Sequence, residues 1–227
     1  MILNSTATTI ADSELMAAER QESPTGDLFK TPLRISDFDI SDDERIEIIA
    51  QHFKAIMETL GLDLSDDSLR DTPGRVAKMF VKEAFSGLNP KNKPSISLFE
   101  NTYRYSEMLI ERNITLYSYC EHHFVPIIGK AHVAYIPNKK VIGLSKINRL
   151  VQYYSRRPQV QERLTTQIAE GLKEALQTED VAVRIEAVHL CVASRGIEDS
   201  QSSTTTAVYS GKFQKDEIKI EFLSGLR

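Results

Sequence analysis

The chain has 227 residues, 41% of them hydrophobic, enough for one large domain or a small domain with an extension. Its formal charge of −4 gives the whole molecule no basic field for nucleic acid or an anionic membrane, so any bound anion must meet a local cluster of cations. No run approaches the roughly 18 apolar residues of a membrane span, and Met1-Ile2-Leu3 leads into polar sequence without a signal peptide's basic start and apolar stretch, so the expected compartment is the cytoplasm.

Residues 1–38 are rich in Ser, Thr, Asp and Glu without a sustained period, and read as a mobile acidic arm. From Ser41, the apolar positions Ile46, Ile48, Ile49, Phe53, Ile56, Met57 and Leu60 recur at helical spacing until Gly61, which predicts a helix packed on one side. Thr72-Pro73 predicts a second helix, with Thr72 as its cap and Arg75 in its first turn, running through Val76, Met79, Phe80 and Phe85 to Gly87. The stretch 39–110 is therefore read as a helical N-terminal region.

Beyond the Pro/Asn/Lys loop at 89–94 the pattern turns to strands, at 114–119 and 131–136, with Gly129 and Pro137 as punctuation. Two helices follow. Ser145 is the expected cap of the first, and Val160, Leu164, Ile168, Leu172 and Leu176 mark the core ridge of the second. Strands are expected again at 181–192 and 203–213, with a shorter one at 218–222. The order ββααββ over 111–227 predicts an α+β domain, an antiparallel sheet covered on one face by helices.

Two cysteines in a reducing compartment are better read as metal ligands or reactive thiols than as a disulfide. Cys120 and His123 converge if the chain turns after Cys120, whereas His122 and His123 diverge along an extended strand. His189 and Cys191 share a face if their segment is a strand. Two thiolates and one imidazole suit Zn2+, and with both cysteines used the fourth position is left to water, which ionises near pH 7 on that ion. The competing reading is two inert buried cysteines with hydrogen-bonded histidines. Three of five histidines lie within three positions of the only two cysteines, and this clustering favours the metal. His52 and His132 read as surface or packing residues.

Lys146 and Arg149, three apart on the first turn of their helix, resemble a phosphate site, against the plain alternative of a solvated basic face. Glu162 lies about 200° around its helix from Val160 and points away from the apolar ridge, where an ionised carboxylate can accept two N–H bonds such as a guanine edge presents, against the default reading of an ordinary exposed Glu.

At these residues the chain resembles the GTP cyclohydrolase I family over about 45–213. The motifs are Thr72-Pro73-x-Arg75-Val76-Ala77-Lys78-Met79, Ser118-x-Cys120-Glu121-His122-His123, Val141 through Arg149, Arg157 through Leu164, and His189-x-Cys191 followed by Arg195-Gly196. The resemblance implies hydrolytic opening of the purine ring of GTP to 7,8-dihydroneopterin triphosphate and formate. It implies Zn2+ on Cys120, His123 and Cys191, with His122 and His189 as the acid–base pair. Glu162, with Gln161 beside it, would hold the guanine edge. Lys146, Arg149 and Arg195 would grip the triphosphate, with Arg75 from a neighbouring subunit and Ser145 near the sugar–phosphate. It further implies the tunnelling fold, a homodecamer of two stacked pentamers, and no nucleic-acid or membrane partner. Two rivals are a zinc nucleobase deaminase, whose His-x-Glu and Pro-Cys-x-x-Cys are absent, and a non-catalytic GTP-binding module of the same fold.

Overall fold

A computed structural model describes residues 30–34 and 40–227, so most of the expected arm lies outside the described residues. Helix α1 (Asp42–Thr59) starts at Ser41, whose hydroxyl accepts from the Glu44 N–H while the Glu44 carboxylate accepts from the Ser41 N–H, a reciprocal capping box. The helix ends at Leu60, and Gly61 takes the left-handed conformation that follows it. Its apolar stripe is only lightly covered within the chain: Met57 is buried, whereas Ile56 and Leu60 are 53% and 72% exposed. Helix α2 (Thr72–Met79) is preceded by Asp71 without a side-chain cap, so Thr72 is its first residue and not its cap. It continues through one π-helical turn at Phe80–Ala84, which turns Phe80 and Phe85 toward each other.

The strands are β1 (Leu98–Glu100), β2 (Leu109–Cys120), β3 (Pro126–Tyr135), β4 (Lys140–Ile142), β5 (Pro158–Gln159), β6 (Val181–His189) and β7 (Thr204–Tyr209). β1 and β4 form a small antiparallel pair; the main sheet has the order β5-β2-β3-β6-β7, antiparallel except for the short β5 on β2. Gly129 does not punctuate β3 but lies inside it, where an added Cβ would sit 2.2 Å from the Glu186 carbonyl oxygen.

Helices α3 (Leu144–Ser155) and α4 (Gln161–Leu176) cover one face of this sheet. Ile147, Leu150 and Val151 of α3 and Leu164, Ile168 and Leu172 of α4 meet Leu116, Ala131, Val133 and Ile185, all essentially buried. The N-cap of α3 is Gly143, which moves Ser145 from the expected cap into the first turn, where it is exposed.

At the C-terminal end the strand expected at 203–213 is shortened to β7, and the one expected at 218–222 is absent. Residues 211–214 form a 3-10 turn, and the segment read as a strand at 218–222 lies in a helix. Calling Leu190–Ala193 α5, that helix is α6 (Asp216–Ser224). Its Phe222 and the turn's Phe213 pack on Ala134 and Ala182, whose side chains leave the sheet on the face opposite to Val133 and Val183. The helices are therefore not confined to one face.

Candidate metal and substrate site

Strand register brings distant residues to one end of the sheet. Ser118 pairs with Ile127 and Ile127 with His189, so β2 and β6 deliver Cys120 and His189 to the same edge. After Cys120 the chain turns: the Phe124 N–H donates to the Cys120 carbonyl at 2.8 Å, and Phe124 takes a positive φ of 54° to close the loop. β6 ends at His189. Cys191 is therefore not on the strand as expected but on the helical turn α5, which carries its thiol back toward Cys120.

The ligand atoms of Cys120, His123 and Cys191 all lie within 4.8 Å of one another. Both cysteines are unpaired, Cys120 buried and Cys191 partly so. Burial pushes the Cys191 thiol above its ordinary value, and the adjoining Cys120 sulfur adds to the shift while Arg195 opposes it. Two neighbouring thiols resist ionising together unless a cation is shared, so the donor set fits a thiophilic dication with a single imidazole as third ligand.

Around this cluster stand the other expected residues. His122 Nδ1 and His123 Nδ1 each lie 3.8 Å from Cys120 Sγ, and Arg195 Nη1 donates to His123 Nε2 at 2.9 Å. His189 is half-buried; burial holds its imidazole below the usual histidine range, against the opposing pull of the Glu162 carboxylate. Glu162 itself is exposed, pointing off the apolar ridge. Gln161, expected beside Glu162, turns the other way. It is 2% exposed, its Nε2 donating to Thr204 O and Thr206 Oγ1 and its Oε1 meeting His189 Nε2 at 2.8 Å, so its side chain is committed to the interior.

The remaining cations are not gathered here within one chain. β5, which follows α3, pairs with Cys120, whereas the start of α3 follows β4 and Ile142, whose N–H donates to Tyr135 Oη at the far end of β3. Twelve helical residues separate these ends by about 18 Å, with Ser145 and Lys146 at the remote one and Arg149 at mid-helix. Arg149 lines a cavity of about 370 Å3 with Lys82, Asn92 and Arg156, which shares no lining residue with the cavity beside His122. Arg75 is exposed on α2 and pairs with Asp71 at 3.5 Å.

Sequence reasoning missed the support behind the loop. The Glu121 N–H donates to Gln159 O, the Glu121 carboxylate pairs with Arg163, and Arg163 Nε donates to Gln159 Oε1 at 3.1 Å. The i, i+4 spacing of Gln159 and Arg163 was the available signal.

A family model described as GTP cyclohydrolase I matches residues 49–227. Among curated relatives, a GTP cyclohydrolase 1 of Flavobacterium johnsoniae is 60% identical over 198 residues, which is 87% of this chain and 89% of that protein. GTP cyclohydrolase 1 of Aeromonas hydrophila is 54% identical over 87% of this chain and 90% of its own, and that of Salmonella arizonae 53% over the same shares.

Proposed function

The chain belongs to the GTP cyclohydrolase I family, and from that premise we propose how its residues divide the work of the reaction. The reaction is the hydrolytic opening of the purine ring of GTP, which gives 7,8-dihydroneopterin triphosphate and formate. The observation that carries the assignment is the convergence of Cys120, His123 and Cys191 within 4.8 Å, flanked by His122 and His189.

The family is metal-dependent; our reading is that Zn2+ is held by those three residues, where it would supply water ionised at neutral pH. The chain's own groups do the rest. His122 or His189 delivers a proton to N7 as C8 is hydrated, and takes part in the later proton transfers of sugar rearrangement and ring closure. Glu162 accepts the paired N–H groups of the guanine edge. Lys146 and Arg149, with Arg195, Arg75 and Ser145, hold the triphosphate and so fix C8 at the metal cluster, which makes GTP a far better substrate than guanosine.

The separation of Ser145 and Lys146 from Cys120 along α3 supports a site shared between copies, the start of α3 in one subunit facing the metal cluster of the next. This accords with a homodecamer of stacked pentamers in the tunnelling fold, where most of β2 and the outer edge of β7 would find partners. We read 111–227 as the catalytic domain and 39–110 as its helical approach. Among the described residues no helix is long and apolar enough to cross a membrane, and the cytoplasm is the proposed compartment.

The test is to supply GTP to the metal-loaded protein and follow formate together with pterin absorbance. Equal amounts of both are expected. Formate without pterin would restrict the activity to ring opening, and ammonia release would replace the reading with a deaminase.

A further inference from the structure

A fully directed hydrogen-bond network runs behind His189. Carbonyl oxygens can only accept, so the contacts of Gln161 Nε2 with Thr204 O at 2.9 Å and Ile185 O at 3.3 Å fix the orientation of this amide. Its Oε1 must therefore face His189 Nε2, at 2.8 Å. An amide oxygen has no hydrogen to give, so His189 Nε2 carries the proton and donates it.

The hydroxyls are ordered in the same way. Thr165 Oγ1 donates to the Gln161 carbonyl at 2.7 Å, which spends its only hydrogen. In the 2.6 Å contact between Thr165 and Thr206 the donor is then Thr206, whose lone pairs remain available to Gln161 Nε2 at 3.1 Å; the two Nε2 hydrogens serve Thr204 O and Thr206 Oγ1, and the longer contact to Ile185 O shares one of them. Gln161 and Thr165 are 2% and 1% exposed, so water has little access to either side chain, while Thr206 is half-buried.

We infer that Gln161, held by Thr206 and Thr165, is a positioning residue that locks the His189 ring with Nε2–H turned inward, leaving Nδ1 as the nitrogen that works on the substrate. Gln161 thus acts through His189 and not on the guanine edge. The inference rests on the reading of His189 as an acid–base group. A ring without this anchor can rotate or change tautomer, and either would put the wrong nitrogen before the purine.

The experiment compares metal-loaded Thr206→Val, Thr206→Ser, Gln161→Met and His189→Asn, alone and in combination. Thr206→Val removes the hydroxyl at nearly constant volume and disturbs the fold less than Gln161→Met. Both are expected to lower kcat by about 10- to 100-fold while KM for GTP stays within about twofold. Metal content and GTP affinity by calorimetry should be unchanged. Thr206→Ser, which keeps the hydroxyl, should recover most of the rate. In the His189→Asn background, neither Thr206→Val nor Gln161→Met should cost anything further, because the group they orient is gone.

A raised KM with kcat kept, or losses that multiply with that of His189→Asn, would overturn the inference and return Gln161 to the substrate. Full kcat in His189→Asn alone would instead remove the acid–base reading on which it rests.

Discussion

His132 sits at the β2 bulge, only 7% exposed, and its Nδ1 accepts from the Asn113 N–H at 3.3 Å, a bond that needs the ring unprotonated on that side. Burial holds its pKa below the ordinary value near 6.5, and Arg184, Lys130 and Arg112 push in the same direction against Glu186. The unfolded chain takes up this proton first as pH falls, so stability present above pH 6.5 is lost as pH drops through the folded value. His132→Asn keeps an acceptor for Asn113 and removes the titration, so its melting temperature should fall less than that of the wild type between pH 7 and 5. Parallel curves for the two proteins would show that His132 has no part in the acid limb. At the metal cluster, Cys191→Ser should abolish bound metal and reduce formate release by more than the roughly 10–100-fold that outer-shell changes cost. Metal analysis beside the formate assay checks both. The convergence of Cys120, His123 and Cys191 was legible in the sequence because soft donors are rare in this chain and cluster in it. The inward direction of the Gln161 side chain was not. Adjacent helical residues point about 100° apart, so Glu162 faces solvent while Gln161 faces the sheet, and only the register of β6 and β7 reveals what it meets there.

Among the elements, α4 was readable throughout because a ridge at a spacing of four has only one good solution, a helix with that stripe on a sheet. The segment at 218–222 deceived because Ile218, Ile220 and Phe222 alternate as in a strand. In the folded chain Phe222 is buried and Ile218 partly so, four apart on α6, while Ile220 is 62% exposed. Cys191 was assigned to a strand for a similar reason: apolar residues continue past His189, whereas the chain turns into α5 there and the thiol comes back beside Cys120. Gly129 is the clearest element-level constraint. It lies between Leu116 of β2 and Ala187 of β6, and a methyl group there would press on the Glu186 carbonyl at 2.2 Å and on the Ala187 Cβ at 2.5 Å. Since these are sheet atoms and not the ends of flexible side chains, Gly129→Ala must part β3 from β6. A loss of about 1–3 kcal/mol is expected in denaturant titration. The same strain should weaken metal retention, because β3 pairs on one side with β2, which ends in Cys120, and on the other with β6, which leads into Cys191. Wild-type stability and metal content together would mean that the sheet can absorb the methyl group.

For the molecule as a whole, the single chain leaves apolar surface that its own fold does not cover. Ile48, Ile56 and Leu60 on or beside α1, with Tyr117 and Ile128 on the main sheet, are all more than two-fifths exposed. Such surface and the unpaired length of β2 argue for assembly. If the start of α3 serves the metal cluster of a neighbouring copy, two lesions that each destroy activity should complement when the copies are mixed. Cys191→Ser leaves α3 intact, and Arg149→Ala leaves the metal ligands intact. In oligomers assembled at random from equal amounts, a site works when an Arg149→Ala cluster meets a Cys191→Ser helix. That is roughly a quarter of all sites, and formate release should recover to about that fraction of the wild-type value. If each chain instead used its own α3, every site would carry one lesion or the other, and co-expressed mixtures would stay as inactive as either parent. The measurement therefore separates a shared site from a self-contained one without requiring the number of subunits to be known. Mixing the intact oligomers without co-expression gives the control, because subunits that do not exchange cannot complement.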